Sequence, residues 1–174
     1  MRRVLLAPAL LASVWAGAAS AQPLLVQGGS LAKSKFCLAY KCALKTTTTL
    51  GTRTERAYTL GVNPAAGLLS TVQGGRVTGV RLLIFNPKTA SDANMLNAIG
   101  GALPSVQILS LGARHRFKVS ALCLSKPVIG KPIRVAGQAF KFSCALNGQD
   151  SQDVARRFKL PASTQMISVR YDRL

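Results

Sequence analysis

Few residues in this chain have the chemistry to catalyse anything. The single histidine, His115, stands between two arginines in Arg114-His115-Arg116, and the only close pair of acids is Asp150 and Asp153. Flanking cations disfavour the imidazolium and leave a neutral ring that could act as a general base. A base of that kind needs a nucleophile and an acidic orienter, and the neighbouring sequence supplies neither. If this segment alternates as a strand does, His115 shares a face with Phe117 and Val119. A half-buried structural histidine is then the plainer expectation, and a hydrolase using His115 the sharper one. The carboxylates of Asp150 and Asp153 could serve glycoside hydrolysis or hold a cation. They also fall at the cap and third positions of a short predicted helix, where carboxylates satisfy free backbone N–H groups and the helix dipole. Capping is therefore their expected role. Glu55, between Arg53 and Arg56, reads as a surface ion pair of little energetic worth.

The cysteines are Cys37, Cys42, Cys123 and Cys144. Their spacing suits no zinc finger, even with His115 added, and no Cys-x-x-Cys is present for disulfide exchange. An even number in an exported chain reads as disulfides. Of the three possible pairings, Cys37–Cys42 closes a small loop and Cys123–Cys144 joins predicted neighbouring strands. Closing a loop of about twenty residues stabilises by roughly 3 kcal/mol on the loop-entropy account. With no Gly-x-Ser-x-Gly elbow and no phosphate-binding loop, the chain reads as a non-enzyme with no cofactor and no metal.

Charge offers more. The chain has 23 basic and 5 acidic residues, a net charge of +18. Charged residues usually make up about a quarter of a chain, so the bases are ordinary in number and the acids are what is missing. The resulting positive potential should attract anionic polymers: nucleic acid, acidic polysaccharide, or an envelope surface bearing lipopolysaccharide or anionic lipid. Two groups of bases are candidate contacts. In a strand, Arg114, Arg116 and Lys118 would point to one side at intervals of about 6.6 Å, close to the phosphate step of an extended polyanion. Arg156, Arg157 and Lys159 form the second group. Tyr40 and Tyr58 could stack on bases, although no aromatics interleave the basic row as a single-strand binder would require. A solvated strand face is the plainer reading of the row.

The N-terminus indicates a compartment. Met1-Arg2-Arg3 is followed by an apolar run from Val4 to Ala18 and by Ala19-Ser20-Ala21, the pattern of a secretory signal peptide cut before Gln22. The first cysteine lies too far along for a lipoprotein, and the charged region is short for a twin-arginine signal. Residues 1–21 are then a leader and 22–174 one exported domain, secreted or retained in the periplasm or envelope. Loss of Arg2 and Arg3 leaves 21 bases against 5 acids, net +16.

The elements that must position these side chains read as follows. Residues 22–34, with Gly28-Gly29-Ser30, form a loose lead-in. Strands at 43–50 and 55–62 flank Gly51-Thr52-Arg53, and strands at 68–73 and 76–85 flank Gly74-Gly75, a two-residue turn signal. The principal helix starts near Ser91 or Asp92, presents Met95, Ile99, Ala102 and Leu103 on one stripe, and stops at Pro104. Its uncharged surroundings, Ala93 to Ala113, hold too many Asn, Gln, Gly and Pro residues for an integral membrane span. A strand follows at 106–111. Further strands at 116–124 and 133–145 flank a connection with Lys126-Pro127, Gly130 and Lys131-Pro132, and Gly137 marks a bulge. A short helix at 150–158 and a closing strand at 165–171 complete an α+β domain of mainly antiparallel hairpins with one principal helix packed on the sheet. The expected function is non-catalytic binding of anionic polymers. The alternative is a structural or assembly role, docking on a protein partner at the envelope.

Overall fold

Alternating side chains and permissive turns build the sheet. In the computed structural model, which describes residues 23–88 and 91–174, β1 (Cys42–Leu50) and β2 (Arg53–Leu60) form the first hairpin. The second joins β3 (Ala66–Gln73) to β4 (Arg76–Phe85). Gly74 and Gly75 both adopt positive φ, 56° and 75°, as the expected two-residue turn demands. A third hairpin joins β5 (Val128–Val135) to β6 (Gln138–Leu146). The last strand, β7 (Met166–Arg173), inserts between β4 and β6. The result is one seven-stranded antiparallel sheet in the order β1-β2-β3-β4-β7-β6-β5. The leader reading of residues 1–21 lies outside the described residues.

Helices cover both faces, unequally. On the first face lie α1 (Leu24–Gln27), α2 (Lys35–Ala39) and a helical rod. The rod runs from α3 (Asp92–Leu96) through a π-helical turn, Asn97–Ala102, into α4 (Leu103–Leu111). Together they enclose the main core, which includes Leu25, Leu68, Leu82, Ile84, Phe140, Phe142 and Tyr171. On the second face α5 (Ser151–Phe158) covers a smaller cluster, with Val154, Ala155 and Phe158 against Ala57, Leu69, Leu83 and Met166. Gly67 permits that approach, because a Cβ there would come within 2.5 Å of the Phe158 ring.

Two disulfides are present, with the expected pairing: Cys37–Cys42, Cα atoms 4.7 Å apart, and Cys123–Cys144, 5.0 Å apart. They consume all four thiols, so no cysteine is left for a zinc site. The second bridge joins a helical turn to β6, where two neighbouring strands were expected.

Several expectations from the sequence are corrected. Residues 23–34 are not a loose lead-in: Leu24, Leu25 and Leu31 are buried in the core. Pro104 does not end the helix. The preceding π-helical turn shifts the hydrogen-bond phase, a place where a proline's missing N–H is tolerated, and Ser105 Oγ donates to the Gly101 carbonyl at 2.9 Å. Residues 106–111 therefore continue as helix, with Val106, Gln107, Ser110 and Leu111 buried on one stripe. The expected strand at 116–124 is an irregular stretch outside the sheet followed by a π-helical turn, Ser120–Ser125. The expected strand at 133–145 is the β5–β6 hairpin. Gly137 is not a bulge but the second residue of its turn, where Ala136 and Gly137 have φ 49° and 77°. The phase change between Val135 and Phe140 keeps both strands' apolar residues on one face.

Candidate functional site

The basic row is held from behind. Gly112, at φ 83°, ends α4, and residues 114–118 form no regular element and do not pair to the sheet. Side chains alternate along this stretch. Phe117 and Val119 pack on the core, and Phe117 lies 4.8 Å from Phe142 between ring centroids. The His115 ring meets Phe142 edge-on at 4.7 Å and lies 5.3 Å from Phe117 and 5.9 Å from Tyr171. Gln107, buried on α4, donates through Nε2 to the His115 carbonyl at 2.8 Å and to the Tyr171 hydroxyl at 2.7 Å. Arg114, Arg116 and Lys118 are left exposed on the outer side. None of the three forms an ion pair among the described residues.

His115 is built into this anchor. Burial lowers its pKa, and the positive charge of Lys131 lowers it further. Burial pushes the Tyr171 phenol up, only partly offset by the Gln107 bond. With Gln107 donating to its oxygen, the Tyr171 hydroxyl has its hydrogen free for Nδ1 of the neutral ring, 3.3 Å away. A tyrosine is thus the ring's hydrogen-bond partner, in place of the carboxylate that would orient a catalytic base.

The second basic group is differently placed. Arg157 is half-buried and donates to Asp153 through Nε at 2.9 Å and Nη2 at 2.6 Å, and also to Glu55 on β2. Burial disfavours its charge, but the bonds to Asp153 and Glu55 outweigh that and raise its pKa. Arg156 reaches Asp153 at 3.4 Å from an exposed position. Of these three, only Lys159, exposed at the end of α5, has no ion pair among the described residues. The structure therefore places Arg114, Arg116 and Lys118 together as unpaired cations and commits Arg157 to tying α5 onto β2. Glu55 pairs with Arg157 rather than with Arg53 or Arg56.

The carboxylates are structural too. Asp150 stands at the start of α5, but its side chain makes no capping bond. It takes both ends of the buried Arg81 guanidinium, at 2.9 Å on one side, while Arg81 Nε donates to Ser168. Burial alone would raise the Asp150 carboxyl. Hydrogen bonding and charge from Arg81 overcome that and hold it below its ordinary range. Asp172 accepts from Arg170 at 2.7 Å. Four of the five acids are thus spent on arginines, and the strand register puts all of these pairs on the second face or on α5 above it.

The two tyrosines considered for base stacking are largely engaged in the protein. Tyr58 is buried and Tyr40 is stacked on Phe36 at 4.4 Å. Sequence reasoning also missed an apolar cleft of about 670 Å³ that begins beside Lys118. Its walls come from segments far apart in the chain, so no local pattern marks it. No protein-family model, curated protein or solved structure matches this chain. Among the described residues, no helix is long and apolar enough to cross a membrane.

Proposed function

We propose that the chain is an exported, non-catalytic domain that binds anionic polymers at the cell envelope or outside the cell, with Arg114, Arg116 and Lys118 as its contact row. The observation that carries this reading is the alternation at 114–119. Three cations without ion pairs face outward, and the residues between them are locked to the core. A row carried on a backbone anchored by His115 and Phe117 loses less conformational freedom on meeting a polymer than one on a loose loop would. With four of the five acids paired to arginines and only Asp92 outside those pairs, little is left to repel a polyanion. Export rests on the leader pattern in residues 1–21, and two disulfides fit an oxidising compartment.

The test is binding to heparin and duplex DNA across a salt series. Affinity should fall steeply with salt and show little sequence preference. Replacing Arg114, Arg116 and Lys118 together by Ser should flatten the log–log salt slope by about two to three units. Replacing Lys33, Lys35 and Lys41 by Ser removes the same charge elsewhere. Equal losses from both triples would mean that diffuse charge alone attracts the polymer.

One observation favours the assembly alternative. Both sheet edges carry a register shift, between Leu44 and Thr46 in β1 and between Val128 and Lys131 in β5, but only β5 also carries a proline, Pro132, which blocks strand addition. β1 is nine residues long, with Thr46 to Thr49 in its middle and one lysine. A partner docking there should be lost on Thr47→Pro or Thr49→Pro while heparin affinity stays unchanged.

A further inference from the structure

We propose that the apolar cleft beside the basic row takes the hydrocarbon chain of a single-chain anionic amphiphile, with Lys88 and Lys118 holding its head group. The cleft, about 670 Å³, lies within the roughly 300–1,000 Å³ usual for small-molecule sites. Ile167 and Leu146 of the sheet are among its lining residues, with Met95 and Ile99 from the helical rod on one side. Phe117, Val119 and Leu124 line it from the segment that carries the row. Leu124 is 46% exposed although it belongs to this apolar lining. The charged residues of the lining are Lys88 and Lys118, both exposed, and no acid is among them. An apolar pocket whose only charges are two cations suits a ligand that is apolar along its length and negative at its end. A neutral lipid would leave the lysines unused, and a purely polar anion would leave the cleft empty.

The inference deepens the polyanion reading at Lys118, but Leu124 and chain length test it separately. Laurate, below its micelle concentration, is titrated into the protein by calorimetry, with neutral monolaurin as the comparison. Saturable one-to-one binding of laurate is expected. Each methylene removed from the probe should weaken it about fourfold, the burial value of one methylene. Lys88→Glu should weaken it about fivefold, the scale of a lost and reversed surface ion pair. Leu124→Asp should abolish binding, whereas Leu38→Asp, the same change at an exposed leucine outside the lining, should not. If Leu124→Asp fails to fold, the chain-length series on the unaltered protein still decides. Heparin affinity measured in parallel should be little changed by Leu124→Asp. Loss of heparin binding with laurate binding intact would overturn only the polymer reading. Absence of saturable laurate binding, indifference to chain length, retention of binding in a folded Leu124→Asp variant, or equal affinity for monolaurin would overturn the amphiphile site.

Discussion

Tyr171, Phe140, Phe142, Leu82 and Ile84 sit on one side of the sheet, each 1% exposed or less. On the opposite side of the same strands stand Arg81, Ser168 and Arg170, with Asp150 and Asp172 as their partners. The first face is closed by area, through three helices and an aromatic cluster. The second is closed over a small apolar patch by α5 and elsewhere by ion pairs. Burial of apolar area is non-directional and offers no charge for salt to screen. Ion pairs depend on geometry, pH and ionic strength. Because this chain has so few acids, spending four of them on one face leaves a single acid, Asp92 at the start of α3, on the side that carries the 114–118 row.

The contrast can be broken by substitution. Phe142→Ala, on the first face, should cost the most, about 3–5 kcal/mol, since it removes the ring on which both His115 and Phe117 rest. Chemical denaturation measures this, and a loss below about 1 kcal/mol would refute the packing account. Paired Cys123→Ser and Cys144→Ser substitutions should follow at roughly 3 kcal/mol. Intact mass should rise by about four hydrogens on reduction of the native protein, as two cystines require. A free thiol before reduction would count against the bridges.

His115→Ala should cost about 1–3 kcal/mol and leave polymer binding intact. A lost activity with unchanged stability would instead reinstate catalysis. The pH dependence has a definite sign. The folded state lowers the pKa of His115 from its ordinary 6.5, so the unfolded chain binds the proton more readily. The histidine's contribution is present above 6.5 and is lost as pH falls through the folded value. His115→Phe should flatten that stage of an acid titration of stability. Asp150, also lowered, contributes a later loss below the ordinary carboxylate range, and Asp150→Asn should remove it.

The second face should show the smallest and most asymmetric effects. Asp150→Ala strands the Arg81 cation, only 10% exposed, and should cost about 1–2 kcal/mol. Arg81→Met removes the buried charge and leaves a carboxylate that is 53% exposed and can hydrate, so about 0–1 kcal/mol is expected. Added salt should narrow the gap between wild type and these variants but leave the Phe142→Ala gap unchanged. Equal salt sensitivity on both faces would undo the comparison.

What the sequence determined by itself was local. Glycine pairs, β-branched runs and two-residue alternation depend on neighbouring φ and ψ, so the first two hairpins, the α5 helix, the closing strand and the α+β class were legible from 43–85 and 150–171. The disulfide pairing was legible from chain separation. The exposed triple Arg114, Arg116 and Lys118 was legible from alternation alone, although the reason for the alternation was not. Tertiary structure decided the stretch from 92 to 125. There Pro104 suggested a stop and a strand was expected at 106–111, but the helix runs on and buries Leu103, Val106 and Leu111 on one stripe. It also decided every charge partner, because Glu55 meets Arg157 and Arg81 meets Asp150 across 102 and 69 residues of chain. Such contacts follow from strand order and face, which a one-dimensional pattern does not carry. For the same reason the apolar cleft, assembled from segments 87–88, 95–99, 117–124, 146 and 167, existed only once the sheet had brought them together.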